Sequence, residues 1–368
     1  MAKKRRLRSG FTTGTAAAAA ASGALCLLMD GVAPPKVSVM LLTGVPIQIP
    51  IHSCTTANGR TAVCTVIKDA GDDPDVTNKA KIGAEVTLCD PRDMRNPLAI
   101  TVRGGKGVGQ VTKPGLDVPP GAPAINPGPM KMIRAAIEVV CAERDCNRPV
   151  TVTIFVPKGE KLAKRPLNRR LGIVGGISIL GTTGLVKPMS HAAYIATIDS
   201  ALRVAAAMAN RQVVLTTGRR SERFAQARFT TLPEEAFIQI GDFFKRSLEK
   251  AAGIGFDRII LAVFFGKALK MAQGIPHTHA ARSRLTMEQL SAWTLELTGD
   301  RILAEQVLAA NTARHALELI WPAYPGIVSE VATRMVASAR GFAGPGPIIE
   351  GVVFQYDGSV MFHVNRSD

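Results

Sequence analysis

The chain has 368 residues, 46% of them hydrophobic, so it can bury a sizeable core and is too apolar for an intrinsically disordered protein. Lys and Arg outnumber Asp and Glu by 45 to 29, which gives a formal net charge of +16 and predicts a polyanionic partner, either nucleic acid or a small polycarboxylate. Aromatic residues make up only 5%, which leaves few platforms for stacking the bases of single-stranded nucleic acid.

The N-terminus imitates a signal peptide, because Lys3 to Arg6 precede an apolar segment from Ala16 to Met29. Polar threonines interrupt the approach, and the segment is mostly alanine and ends at a turn. We therefore predict a cytoplasmic protein without a membrane segment. The cysteines form no C-x-x-C pair, so we expect most of them to be small buried hydrophobic residues in a reducing compartment, and we expect no protein-bound metal.

A Thr/Gly turn, residues 10–15, leads into the alanine-rich segment, which is predicted to be a helix. Thr12 and Thr13 are suitably placed to satisfy unpaired amides at the helix start. Two interpretations stay open: the turn caps a buried helix, or the helix start holds a carboxylate or a cofactor.

The predicted elements of the next region are strands followed by one helix. The strands are expected at 36–42, 45–51, 61–68, 82–89, 98–102 and 150–156, and the helix at 130–146. An acidic loop follows the third strand and contains Asp72; it is interpreted as a cation site, a general acid/base or a turn rich in Asp. The Gly-rich loop 104–109 contains Lys106 and is predicted to cradle an anion. Asn126 lies in a Pro/Gly-dense connector and is a candidate polar contact.

The stretch 171–190 reads as a short buried strand, a Gly/Thr loop and a helix start, which is how a parallel α/β domain begins. Strands at 212–217, 236–240 and 257–265 alternate with helices and continue that pattern. Glycines end these strands, and the carboxyl edge of a parallel sheet is where ligands bind. We therefore expect Gly181, Gly218 and Lys267 to lie on one edge of one sheet.

The remainder is predicted to be helical, with a final hairpin around Asp357 and Gly358. His277 and His279 precede these helices and read as metal ligands, an acid/base pair or polar loop residues. The fold class is thus an N-terminal α+β domain with a mixed sheet (1–157), a basic linker (158–170), and a Rossmann-like parallel-sheet α/β domain with C-terminal helices and a hairpin (171–368).

Seven of these segments, in order between residues 9 and about 280, resemble the CbiD family of cobalt-precorrin-5B C(1)-methyltransferases. They are residues 9–15, 68–77, 104–115, 123–127, 171–190, 217–219 and 266–279. The sequence departs from the family at Ala16, where many members have Cys, so a cysteine there is not an indispensable nucleophile.

The resemblance implies methyl transfer from S-adenosylmethionine to C1 of cobalt-precorrin-5B, giving cobalt-precorrin-6A in anaerobic cobalamin biosynthesis. The cobalt belongs to the substrate, a polycarboxylate corrin precursor that suits the basic chain. A homo-oligomer or an association with neighbouring corrin-pathway enzymes stays open. Alternatives are another corrin-pathway enzyme, such as a deacylase, and a basic nucleic-acid-binding protein.

Roles for single residues are predicted from motif position and side-chain chemistry alone. Asp72 and His277 are candidates for handling a proton. The candidate substrate contacts are Lys106, Asn126, Arg219 and Lys267. The candidate cofactor contacts are Thr12, Thr13, Gly181, Thr182, Thr183, Gly184 and Gly218.

Overall fold

The structure, a computed structural model, describes residues 7–90, 99–164, 166–279 and 283–364. The chain divides into two compact units, Met1–His191 and Ala192–Asp368. Lys3 to Arg6 of the predicted basic tail lie outside the described residues, as do Leu98 of a predicted strand and Arg165 of the predicted linker.

The first unit is built from short strands and from helices of very different lengths. Its strands are β1 (Gly10–Phe11), β2 (Lys36–Met40), β3 (Pro46–Pro50), β4 (Ser53–Asn58), β5 (Thr61–Ile67), β6 (Lys81–Leu88), β7 (Ile100–Gly104), β8 (Gly107–Val108), β9 (Gln110–Val111), β10 (Val150–Phe155), β11 (Ile173–Val174), β12 (Gly176–Ile177) and β13 (Leu185–Val186). Its helices are α1 (Thr13–Asp30), α2 (Pro127–Glu143), α3 (Gly159–Leu162) and α4 (Pro166–Arg170).

Helix α1 forms the centre of this unit. Its alanines from Ala16 to Ala21 are fully buried, and the helix packs against α2, β5 and β6. Alanine favours helix and adds little bulk, so neighbouring backbone can approach closely. Helix α1 is also the one described helix that is long and apolar enough to cross a membrane, but 83% of that window is buried within the fold, as in a core helix.

The predicted mixed sheet is confirmed, with strand order β4-β5-β6-β10-β7. All its neighbouring strands are antiparallel except β10 and β7, and β2 and β3 form a separate hairpin. The sequence analysis missed β4, whose residues are mostly exposed and lack an alternating pattern. Cys54 and Cys64 face each other across β4 and β5 with Cα atoms 4.1 Å apart and form a disulfide, which the prediction of reduced cysteines did not include.

The prediction that residues 171–190 open the parallel sheet is wrong. β11 pairs with β9, β12 with β8 and β13 with β1, so the whole stretch is built into the first unit. Gly172, Gly176, Gly181 and Gly184 of this stretch pack tightly there. The division between the units falls after His191, whereas the sequence placed it across residues 158–170.

The second unit contains a five-stranded sheet and the remaining helices. The strands are β14 (Gln212–Thr216), β15 (Phe237–Gln239), β16 (Arg258–Phe264), β17 (Ile348–Phe354) and β18 (Val360–Val364). The helices are α5 (His191–Ala207), α6 (Arg219–Arg228), α7 (Phe244–Ile254), α8 (Phe265–Ala272), α9 (Ser283–Thr298), α10 (Arg301–Ala309), α11 (Ala313–Ile320) and α12 (Pro325–Ala343).

The sheet order is β15-β14-β16-β17-β18, with only β18 antiparallel to its neighbour. Strand β14 is buried from Val213 to Thr216 and β16 from Ile259 to Val263, as expected for parallel strands covered on both faces. The strands predicted at 212–217, 236–240 and 257–265 are present and parallel, and the fourth parallel strand is β17 of the predicted hairpin instead of the strand expected within residues 171–190. The chain leaves β14 towards β15 and then crosses back to β16, so the switch point of the sheet lies between β14 and β16.

Candidate functional site

The Thr–Gly joint, residues 12–15 with residues 180–184, connects α1 to the turn before β13. The Thr13 hydroxyl donates to the Leu180 carbonyl at 3.2 Å and accepts from the Leu180 amide at 2.9 Å. The Thr15 hydroxyl donates to the Gly184 carbonyl at 2.7 Å, and Thr12 caps the helix by accepting from the Thr15 amide at 3.2 Å. Thr12 and Thr13 are buried, and their polar groups are used within the fold.

Gly181 and Gly184 allow this close approach. Their φ angles of +150° and +92° lie in the region that favours glycine, and a Cβ at Gly181 would overlap the Thr12 side chain. Thr183 closes the turn by accepting from the Leu185 amide at 3.2 Å. Thr182 is exposed and is the residue of this turn best able to meet a ligand.

The acidic loop after β5 ties chain segments together. Asp72 accepts from the Arg8 amide at 2.7 Å, and the Arg8 guanidinium pairs with Asp69, whose pKa this contact lowers. Asp73 accepts from the Met189 amide at 2.9 Å. These contacts favour the interpretation as a structural turn for Asp69, Asp72 and Asp73.

Asp75 of the same loop forms an ion pair with Lys68 at 2.5 Å, and the Lys68 side chain is only 1% exposed. Burial by itself would raise the pKa of the Asp75 carboxyl. Hydrogen bonds from Lys68 and Thr77 and the positive charge of Lys68 together outweigh burial and hold that pKa below its usual range. The pair thus fixes the loop to a buried lysine.

The Gly-rich loop packs tightly against backbone, so anion binding does not explain its glycines. Gly107 has φ +76°, and a Cβ there would overlap the Val156 carbonyl; one at Gly109 would crowd Ile173. The Lys106 side chain is exposed. Asn126 begins α2 and is half-buried, and its carboxamide makes no capping hydrogen bond to the helix.

In the second unit, several candidate residues follow the carboxyl ends of the parallel strands and lie at one edge of the sheet. Lys267 at the start of α8 pairs with Asp242, which follows β15, and Thr278 donates to the same carboxylate at 3.0 Å. Burial would raise the pKa of Asp242, but the Lys267 ammonium and the Thr278 hydroxyl hold it below its usual range. Lys267 is therefore already engaged in an ion pair. His277 packs edge-on against Phe243 with ring centroids 4.9 Å apart.

Gly218 and Arg219 lie at the switch point, directly after β14. Gly218 has an extended backbone with φ 172°, and the space around its Cβ position is open. Arg219 is exposed and has no carboxylate within ion-pair distance in the part of the chain that the structure describes. Of the predicted substrate contacts in this unit, Arg219 is thus open whereas Lys267 is paired.

Sequence analysis missed an aromatic group at the same edge. Tyr356, which follows β17, stacks on Phe264 at the end of β16 with centroids 5.3 Å apart and planes at 10°. The Arg220 guanidinium lies 5.6 Å from the Phe264 centroid, and that of Arg314 lies 5.1 Å from the Tyr356 centroid. The signal was present in the Asp357-Gly358 hairpin, but only the pairing of β17 with β16 brings Tyr356 to this edge.

The described ranges contain no group of three or more His, Cys, Asp or Glu residues suited to a metal ion. Thus the structure brings together two sets of predicted residues, one within each unit. The first set, in the Thr–Gly joint, is largely used for packing. The second, at the sheet edge, includes exposed groups.

Comparison with known proteins decides the family. The CbiD family model matches residues 1–188, and the model for the CbiD C-terminal domain matches residues 277–365. This chain belongs to the CbiD family. A relative of this CbiD chain from Nitratidesulfovibrio vulgaris, named cobalt-precorrin-5B C(1)-methyltransferase, is 43% identical over 98% of this chain and 92% of its own length.

A second CbiD relative with the same name, from Geotalea daltonii, is 45% identical over 85% of this chain and 86% of its own length. A crystal structure of a cobalamin biosynthesis protein (cbiD) from Archaeoglobus fulgidus is 28% identical, covers 71% of this chain and 78% of that chain, and aligns with a TM-score of 0.39.

Proposed function

We propose that this chain methylates C1 of cobalt-precorrin-5B to give cobalt-precorrin-6A, with S-adenosylmethionine as the methyl donor. The observation that carries this proposal is the match to a relative of that name across 98% of the chain. A match of that extent includes both compact units and every segment on which the candidate site depends.

The charge of the chain supports a corrin precursor as substrate. Such a ring bears many carboxylates, and a net charge of +16 attracts a polyanion. Arg219 is the strongest candidate for a carboxylate contact because it is exposed at the switch point and unpaired among the described residues. Lys106 and Asn126 remain candidate substrate contacts on the first unit, where their side chains reach solvent at least in part.

The second unit supports an adenosine-bearing donor. Its parallel strands order as 2-1-3-4, and adenosine-bearing ligands bind at the carboxyl edge of such sheets. We therefore propose that this unit binds the donor as a Rossmann-like domain does, although the turn after its first strand lacks the GxGxxG pattern. Gly218 and the exposed Thr182 remain proposed ligand contacts; Thr12 and Thr13 act through the joint that they stabilise.

The main task of the enzyme is to align the methyl group of the donor with the ring carbon of the substrate. When bound, the donor supplies an electrophilic methyl group on a sulfonium, and the ring carbon is the nucleophile. Holding two reactants near attack distance contributes about 7–11 kcal/mol to lowering a barrier. Asp72 and His277 stay proposals for handling a proton, and the contact between Asp72 and the Arg8 amide favours a structural role for Asp72.

Incubation of the purified chain with methyl-labelled S-adenosylmethionine and cobalt-precorrin-5B tests the function. We expect one label per ring, located at C1 by NMR of the product. A ring that loses a carbon fragment without gaining label would identify a deacylase instead. Binding of duplex DNA or RNA that weakens steeply with salt, without methyl transfer, would favour the nucleic-acid alternative.

A further inference from the structure

A cavity of about 280 Å³ opens beside the carboxyl end of β17 in the second unit. It is lined by residues from the β17–β18 turn and from α11 and its C-terminal cap. These residues are Arg314, Leu317, Glu318, Trp321, Gln355, Tyr356 and Asp357. None of them belongs to the segments that carry the family resemblance. We call this cavity the Tyr356 pocket.

The size of the pocket limits its ligand. Pockets for small molecules typically have volumes of about 300–1,000 Å³, so this one lies just below that range. A corrin macrocycle with its acid side chains is far too large to enter. A nucleoside-sized group fits.

The walls of the pocket favour a flat ring. Tyr356 is held in place by stacking on Phe264, with ring centroids 5.3 Å apart, and by the Arg314 guanidinium 5.1 Å from its centroid, so its ring edge is the part that a ligand meets. Trp321 is half-buried and supplies a second aromatic surface, and Leu317 adds apolar contact. Aromatic faces of this kind stack on bases and attract cations.

The acids of the pocket distinguish between the two substrates of the proposed reaction. In the lining, Glu318 and Asp357 stand against Arg314, and the Arg220 guanidinium lies outside the lining, 5.7 Å from the Tyr356 centroid, and donates to the Tyr356 carbonyl. The Asp357 Oδ1 accepts from the Ser359 amide at 2.8 Å and from the Ser359 hydroxyl at 2.7 Å, and Oδ2 is left to accept from a ligand. Glu318 Oε1 accepts from Arg314 at 3.0 Å, which likewise leaves Oε2. Carboxylates repel a polyanionic corrin, whereas they accept hydrogen bonds from ribose hydroxyls and attract a sulfonium.

We infer that the Tyr356 pocket binds the adenosyl part of the sulfonium methyl donor. Trp321 and Tyr356 contact the base, and Glu318 and Asp357 face the ribose and the positive charge. This inference rests on the proposed function for the identity of the donor. It assigns the donor to one part of the sheet edge and leaves Arg219, at the switch point, for the anionic substrate.

Binding measured without the corrin tests the pocket. S-adenosylmethionine and S-adenosylhomocysteine are titrated into the full chain by calorimetry, because the second ligand keeps the nucleoside and lacks the positive sulfur. We expect Glu318→Gln and Asp357→Asn each to weaken S-adenosylmethionine binding about tenfold and to weaken S-adenosylhomocysteine binding less. The matched control is Glu305→Gln, an exposed acid on α10 outside the pocket, which should bind both ligands like the wild type.

Fluorescence gives a second readout. The chain has two tryptophans, and Trp293 is buried at 4% exposure, so we expect Trp321 to report ligand binding. A fluorescence change on adding S-adenosylmethionine should be present in the wild type and absent in Trp321→Phe. The conservative replacement keeps an aromatic ring at this half-buried position.

The two proposals fail differently. If the pocket variants bind both ligands like the wild type while the enzyme methylates the corrin, the pocket assignment is overturned and the function stands. Equal weakening of the two ligands would overturn the role of the acids in recognising the sulfonium. A chain that binds S-adenosylmethionine in the pocket but transfers no methyl group would refute the function and leave the pocket assignment.

Discussion

The Thr–Gly joint of the first unit and the sheet edge of the second unit share a sequence signature, a Gly/Thr turn next to a helix. In the joint, hydroxyls of Thr12, Thr13 and Thr15 bond to neighbouring groups of the fold, and Gly181 is pressed against Thr12. At the edge, Gly218 has open space around it and Arg219 is exposed. The same residue types thus join two chain segments in one place and leave room for a ligand in the other.

The difference teaches that glycine near a helix start has two uses, which burial and φ distinguish. A glycine with positive φ and backbone or side chains at its Cβ position serves packing. An extended glycine with empty surroundings leaves access. Substitution of the packed Gly181 should therefore lower stability, whereas substitution of the extended Gly218 should leave stability unchanged and affect activity.

The largest effect is expected for Gly181→Val. The new side chain would overlap Thr12, and the residue would hold φ +150°, so we expect the free energy of unfolding to fall by about 4 kcal/mol. Urea unfolding followed by circular dichroism measures it. Gly218→Ala is the matched control and should change stability by less than about 0.5 kcal/mol; an equal loss in both variants would contradict the comparison.

Asp75→Asn should have the next largest effect. It leaves Lys68 charged and buried at 1% exposure, which we expect to cost about 3 kcal/mol of unfolding free energy. The matched variant at the sheet edge, Asp242→Asn, breaks a pair whose side chains are 31% and 26% exposed, so solvent screening should limit its cost to about 1 kcal/mol.

The same carboxyl predicts a pH dependence. Because the folded-state pKa of Asp75 is lowered, its contribution to stability is complete above its unfolded-state pKa of about 4 and is lost as the pH falls through the folded-state value. Acid titration of the urea midpoint should show this loss below about pH 4 in the wild type. A variant Asp75→Asn that retained the full acid loss would show that other carboxyls cause it.

Thr13→Val tests the hydrogen bonds of the joint. The hydroxyl both donates to and accepts from Leu180 at 3.2 and 2.9 Å, and its loss leaves the part-buried Leu180 amide without this acceptor, while the Leu180 carbonyl keeps its bond from the Gly14 amide at 3.2 Å. We expect a loss of about 2 kcal/mol in unfolding free energy, with the KM for the corrin unchanged. Thr182→Val, at an exposed position, should leave stability within about 0.5 kcal/mol of the wild type.

Arg219→Gln at the sheet edge is expected to affect substrate binding rather than folding. Stability should be unchanged, and the KM for the corrin should rise about tenfold, equivalent to about 1.4 kcal/mol. Arg301→Gln, at the exposed start of α10, is the control and should leave KM unchanged. An unchanged KM in Arg219→Gln would remove Arg219 from the proposed substrate contacts.

Local pattern was enough to predict most elements. The alternation of β5 and β6, the apolar face of α2 and the hairpin of β17 and β18 were read within a few residues of their ends. The family was likewise recognisable from motifs. Each of these features depends on residues that lie close together in the sequence, so a local pattern is enough to predict it.

Partners far apart in the chain could not be predicted. The segment 171–190 has the look of a strand that opens a parallel sheet, but it pairs with residues near 10 and 108. The Tyr356 pocket depends on the pairing of β17 with β16 and on α11, which local periodicity does not encode. Likewise, only the fold shows that Lys267 is paired with Asp242 while Arg219 is open.

The pairing of β1 with β13 has a consequence for biosynthesis. Gly10 and Phe11 leave the ribosome about 175 residues before their partners Val186 and Leu185, which corresponds to a delay of roughly 9–35 s at common translation rates. During that interval, helix α1, which follows them, lacks its contacts with the segment around residue 185. A nascent chain halted before residue 185 should therefore remain sensitive to protease at its N-terminal segment, and release of the halt should confer resistance.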